Sequence, residues 1–208
     1  QMRLLHLILK TIMTTTKSKT TTSSKTTNKK NQVTLPKNPL VFEVLDLVSK
    51  QRSKAKKIEI LRTYNESHLR MLFIWNFDET VISLLPEGEV PYSDFDDQAT
   101  NSGTLTTKIN EEIRSMYETG SFSMGATDKQ GRTTIRREAK NFYHFVKGGS
   151  KVNSVRRETM FINLIRGLHP LEADILCLVK DKKLGEKYKI TKEIIAEAFP
   201  EIIWGGRS

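Results

Sequence analysis

SVRRETMFINLIRGLHPLEADILCLVK (Ser154–Lys180) holds two helices and the stop between them. Phe161, Leu164, Ile165 and Leu168 recur at steps of three and four, the spacing of one helical face. Ser154 opens that helix, and Gly167 stands near its end. His169 then acts as a cap before Pro170, which takes the first position of a second helix, where its missing N–H costs nothing. Leu171, Ile175, Leu178 and Val179 form the inner face of this second helix. Cys177, inside the run ILCLV, reads as a small core residue, because apolar burial raises a thiol pKa and makes it inert. As the one cysteine of the chain it forms no internal disulfide, so the fold does not depend on an oxidising compartment.

Helical spacing continues on both sides of this pair. Downstream, a basic turn from Lys180 to Lys189 leads to Thr191, which caps a helix carrying Ile194, Ile195, Ala198 and Phe199. Upstream, Thr133 or Thr134 opens a helix with Ile135, Ala139, Phe142 and Val146 on one face, and Gly148-Gly149 stops it. Four consecutive helices, each burying side chains worth roughly 1.5–3 kcal/mol apiece, predict a C-terminal bundle over 133–204. Gly120, Gly125 and Gly131 mark 121–132 as a flexible joint.

Residues 36–120 predict an N-terminal helical part. Asn38-Pro39 starts a helix running to about Lys50 through Val41, Val44, Leu45 and Val48. Ser53 caps a second, marked by Ala55, Ile58 and Leu61 and ending near Asn65. Ser67 opens a third that is apolar nearly all round (Leu69, Leu72, Phe73, Ile74, Trp75), which means a buried element. Periodicity then vanishes over an acidic loop, 76–107, punctuated by Pro86, Gly88, Pro91 and Gly103. Thr106 or Thr107 caps a helix through Ile109, Ile113 and Met116. The expected class is mainly α, built of small helical domains with a C-terminal bundle and a long irregular acidic loop.

The first 35 residues are expected to be a disordered basic tail. From Thr14 to Gln32 there is nothing apolar to offset the roughly 1–2 kcal/mol per residue that ordering a backbone costs. Residues 1–12 (QMRLLHLILKTI) resemble a signal peptide, but His6 and Lys10 interrupt the apolar run and no small-residue cleavage site follows. Met13 is the expected initiator. No segment nears the roughly 20 apolar residues of a membrane span.

The net charge of +10 is unevenly placed. Residues 1–37 hold eight Lys/Arg and no acid, while 38–128 hold nine basic and fifteen acidic residues. Residues 129–166 hold ten basic against two acidic, and 167–208 balance at seven each. Density of this kind suits a polyanion, since Lys and Arg gain phosphate affinity chiefly by releasing condensed counterions. The competing reading is a solvated face, or a clamp against the acidic middle. The candidate contacts are Arg132, Arg136, Arg137, Lys140, Lys147, Lys151, Arg156 and Arg157. Lys147 and Lys151 bracket Gly148-Gly149, and Arg156 and Arg157 stand in a first helical turn, where free N–H groups also attract anions. His144, beside Tyr143 and Phe145, could stack on a base; it reads rather as a half-exposed helix residue.

Phosphate-loop, zinc-protease, paired-cysteine and nucleophile-elbow motifs are all missing. Asp94, Asp96 and Asp97 lack the alternation, glycine and distal Glu of a calcium loop, so they read as a solvated loop. No enzyme activity, cofactor or metal is expected.

FYHFVKGG (Phe142–Gly149), RRETMFINLIRGLHPLEADIL (Arg156–Leu176) and YKITKEIIAEAFPEI (Tyr188–Ile202) resemble a family of uncharacterised proteins encoded by tailed phages of marine bacteria, especially cyanobacteria. KKIEILR (Lys56–Arg62) and LPEGEVPY (Leu85–Tyr92) are similar more loosely. The resemblance implies a phage origin and synthesis in the cytoplasm of a bacterial host, and carries no activity with it. The Thr/Lys/Ser tail departs from the family's pattern. With the charge pattern it leads to an expected role as a phage accessory protein that binds nucleic acid without sequence readout. The alternative is a virion component, or a factor that contacts a host or phage protein through loop 85–97, with Tyr92 and Phe95 exposed.

Overall fold

A computed structural model describes residues 35–91, 103–120 and 131–207. The tail (1–35, but for Leu35), most of the joint (121–130) and residues 92–102 of the acidic loop lie outside the described residues. Tyr92, Asp94, Phe95, Asp96 and Asp97 fall with them.

The first helix, α1, spans Val41–Ser49, two residues later than the Asn38-Pro39 start read from sequence. Carboxylates cap it instead of Asn38. The Leu40 N–H donates to Glu43 Oε2 at 2.8 Å, and the Val41 N–H donates to Glu172 Oε1 at 3.2 Å. α2 (Lys54–Thr63) follows Ser53, and α3 (Ser67–Phe77) buries His68, Leu69, Leu72, Phe73, Trp75 and Asn76, the all-round burial its composition required. α4 (Leu105–Thr119) is capped by Thr104, whose hydroxyl accepts the Thr107 N–H at 3.2 Å. Thr106, a cap by sequence, instead turns its hydroxyl to the Val90 N–H at 2.8 Å, holding the acidic loop's return.

Thr134 caps α5 (Ile135–Glu138) as expected, but the α-geometry lasts one turn. Ala139–Phe145 continues as a 3₁₀ helix, η1. With three residues per turn, positions three apart eclipse. The inner ridge is therefore Ala139, Phe142 and Phe145, and Val146 is only partly buried. α6 (Ser154–Gly167) opens on an Asn153 cap. α7 (Pro170–Lys180) opens on His169, whose Nδ1 accepts the Leu171 N–H at 3.1 Å. The 180–189 turn contains a short helix, α8 (Leu184–Tyr188), absent from the sequence reading. Its two buried residues stand four apart, and the Leu184 N–H is met by Asn76 Oδ1 at 3.1 Å. α9 (Lys192–Ala198) follows Thr191 and buries Ile194, Ile195 and Ala198.

α7 is the hub, packed against α1, α3, α4, α6 and α8, while α9 lies on α2. The buried side chains from Leu40 to Ile202 form a single cluster. The protein is mainly α: there is no strand among the described residues, only a Ser83–Val146 antiparallel bridge. No described helix is long and apolar enough to cross a membrane.

Three buried groups make stability depend on pH. Burial lowers His169 to about 4. Burial also lowers His68 to about 4, helped by Arg136 and Arg70 and opposed by Glu66. Burial raises Glu172 to about 7 against the Ile135 and Val41 N–H bonds and Arg136, with Glu43 adding to the rise. As pH falls from about 7.5 to about 5 the unfolded chain takes up nearly two protons on the histidines that the folded chain refuses, and the folded chain takes up most of one on Glu172. The unfolded state binds more, so stability falls as pH falls through this window. The urea midpoint should drop from about pH 7 to about pH 5, and His169→Asn, which keeps a capping side chain, should flatten the drop. A midpoint that rises on acidification would contradict this.

Candidate functional site

The basic segment sits on a short, tightly braced run of chain. The bridge at Val146 is flanked by two backbone bonds, Leu84 N–H to Phe145 O at 2.8 Å and Lys147 N–H to Ile82 O at 2.9 Å. Beneath it, Trp75 packs its ring on Phe142 and Phe145, and Phe145 meets Phe161 edge to face. The turn that follows is closed by Gly149, whose Cα lies so near Tyr143 that a Cβ there would come within 1.8 Å of the Tyr143 carbonyl oxygen. Such an approach admits no other residue without moving backbone.

Arg157 is the other brace. Its guanidinium points inward, with Nε donating to His144 O at 2.8 Å and an Nη to Val152 O at 2.5 Å, and the residue is 8% exposed. It joins the first turn of α6 to both ends of the loop that carries Lys147 and Lys151. Its charge serves the fold, where two charge-assisted bonds to carbonyls compensate its burial.

Arg136 is committed as well. Its Nη1 pairs with Glu66 and its Nη2 donates to Pro39 O at 3.4 Å, so here the acidic middle does meet the basic segment.

The remaining six predicted residues differ. Arg132, Arg137, Lys140, Lys147, Lys151 and Arg156 are all exposed, and none has an ion pair with a described carboxylate. Lys140 stands one 3₁₀ turn before Tyr143, on the outward ridge of η1. Lys147 and Lys151 flank the glycine turn, and Arg156 stands in the first turn of α6. Arg132 belongs to another neighbourhood: with Lys108 of α4 and Arg166 of α6 it lines a cavity of about 590 Å³ floored by Ile165 and Leu168. Lys108 went unnoticed in the sequence because its helix lies in the acidic half of the chain.

Within η1 the aromatic residue presented to solvent is Tyr143, at 48% exposure, not His144. An α-helix with Ile135, Ala139, Phe142 and Val146 inward would set His144 on the opposite face. In the 3₁₀ form Tyr143 and His144 both flank the inner ridge of Ala139, Phe142 and Phe145, and of the two it is Tyr143 that is exposed. His144 is half-buried, as its sequence context suggested.

Cys177 is partly buried, and burial pushes its thiol up to about 12, as expected of an inert core residue. Among the described residues no group of His, Cys, Asp or Glu is arranged to hold a metal ion. The described residues thus offer exposed positive charge, an exposed aromatic ring beside it and a cationic cavity.

No curated protein and no solved structure matches the chain. Its sequence matches, over residues 44–129 and 119–186, the pattern of a family of unknown function (DUF6433), and the chain belongs to that family.

Proposed function

We propose that this is a non-enzymatic phage accessory protein that binds nucleic acid without sequence preference, in the cytoplasm of a bacterial host. The observation that carries the reading is a set of six exposed cations within residues 132–156 that pair with no described carboxylate. The described acids of the middle segment pair with only Arg136 of the eight candidates, so the clamp between the acidic and basic parts does not take up the other described cations. Exposed Lys and Arg without a described acidic partner keep their value for phosphate, because no pairing with a described carboxylate has to be displaced. The phage assignment rests on the likeness of Phe142–Gly149, Arg156–Leu176 and Tyr188–Ile202 to proteins of tailed phages.

The test is a gel-shift titration with an unrelated oligonucleotide at about 50 and about 200 mM salt. Binding should weaken steeply with salt. The double charge reversal Arg137→Glu/Lys140→Glu should reduce affinity at least about tenfold in low salt and cut the logarithmic salt slope by about two, near one for each phosphate that is no longer neutralised. Both side chains are exposed, so the melting temperature should be unchanged. No binding in low salt, or affinity untouched by the reversal, would end the reading.

A further inference from the structure

We propose that the nucleic acid bound here is single-stranded, with an unpaired base stacking on Tyr143 while Lys140 and Lys147 hold the adjoining phosphates. The inference rests on the binding role proposed above and specifies its ligand.

An exposed tyrosine alone is ordinary on a protein surface. Three features set this one apart. Its ring lies against the His144 ring, with centroids 3.9 Å apart, so part of its motion is already restrained. Its backbone is fixed from below, by Gly149 against its carbonyl and by Arg157 on the next carbonyl. It is also flanked in sequence by cations that have no described acidic partner, Lys140 one turn before it on η1 and Lys147 four residues after it, past the end of η1. A platform restrained before the ligand arrives loses little entropy when a base settles on it.

The charge pattern then decides which polyanion gains from the ring. In a duplex both faces of each base are covered by neighbouring bases, so a solvent-facing phenol finds only backbone and groove. In a single strand every base has a free π-face, and stacking on an aromatic side chain is favourable whatever the base. Cations beside an aromatic ring therefore fit a single strand, without sequence preference, better than they fit a duplex. Val155, in the first turn of α6 beside Arg156, adds further exposed apolar surface at the other end of the loop.

The experiment uses the full chain and measures anisotropy with a dye-labelled dT strand of about 20 nucleotides and a duplex of about 20 base pairs, at two salt concentrations. The wild type should prefer the single strand. Tyr143→Ala should weaken single-strand binding about tenfold, a loss of the size that removing one stacking ring produces. It should leave the salt slope in place, because no cation is removed, and Tyr143→Phe should recover the affinity. Equal affinity of Tyr143→Ala and wild type for the single strand, or a wild-type preference for duplex, would overturn this inference while leaving the general binding role standing. Failure of wild type to bind either probe would overturn both.

Discussion

Glu172→Ala should destabilise the fold by about 3–5 kcal/mol, a large part of the roughly 5–15 kcal/mol that holds a domain of this size together. Glu172 is 1% exposed, yet its carboxylate reaches two other chain segments. Oε1 accepts the Val41 N–H, opening α1, at 3.2 Å, and Oε2 accepts the Ile135 N–H, opening α5, at 3.0 Å. It also sits in the first turn of its own helix, α7. One side chain therefore ties three helix N-termini together, each of which leaves N–H groups without an intrahelical partner. Alanine strands two buried donors and opens a cavity as well, and each orphaned donor costs about 1–3 kcal/mol. Glu172→Gln keeps one acceptor oxygen but sets an NH₂ group against the other N–H, so it should fall between alanine and wild type. Urea unfolding at about pH 7.5, where most of the carboxyl is ionised, is the measurement. A loss below about 1 kcal/mol for alanine would show that the three helices are joined by packing alone.

Gly149→Ala carries the second large effect. A Cβ at this position meets the Tyr143 carbonyl oxygen at 1.8 Å and its carbon at 2.7 Å, both backbone atoms that no rotamer change can move. The turn must open, and with it the Lys147 N–H bond to Ile82 O at 2.9 Å. A destabilisation of about 3 kcal/mol is expected, in the range of severe steric insertions. Gly148 is the contrast. Its φ is +80 with nothing within 4 Å of a built Cβ, so Gly148→Ala should cost only about 1–2 kcal/mol of left-handed strain. Thermal unfolding of the two variants should separate them clearly, and faster amide exchange at Lys147 should accompany Gly149→Ala alone. Equal destabilisation would mean that the turn relaxes around the added methyl. Gly149→Ala should also weaken single-strand binding more than Gly148→Ala, since it is Gly149 that braces Tyr143.

Much of the secondary structure was legible because its signals are local. His169-Pro170 and Thr134 stand where caps are needed, Ser154 is the first residue of α6 although Asn153 before it supplies the cap, and the apolar spacing of α3, α6, α7 and α9 matches the faces that are buried. The misreadings share a cause: a distant group satisfied a local need. Asn38 yielded its capping role because Glu172, 131 residues away from Val41, supplies the acceptor. Thr106 was turned aside by Val90. α8 escaped notice because Asn76, 108 residues from Leu184, receives its first N–H. The 3₁₀ form of η1 was hidden because Ile135, Ala139, Phe142 and Val146 satisfy an α-helical spacing; the ring stack of Trp75, Phe142 and Phe145 goes with a period of three instead.

For the candidate site, the concentration of positive charge in 129–166 was plain from residue order, since counting charge requires no geometry. Which of those charges face water was not. Arg136 and Arg157 look like their neighbours in the sequence, and only folding brings Glu66 to one and the carbonyls of His144 and Val152 to the other. By itself the sequence determined a mainly helical chain with a basic segment after an acidic one, because composition, apolar spacing and capping act over a few residues. Tertiary structure alone decided that Arg157 braces the turn and Arg136 pairs with Glu66, which six cations remain exposed and which aromatic ring faces solvent in η1. Those outcomes depend on partners far apart in the chain, and a buried guanidinium or carboxylate is stable only where such partners meet it.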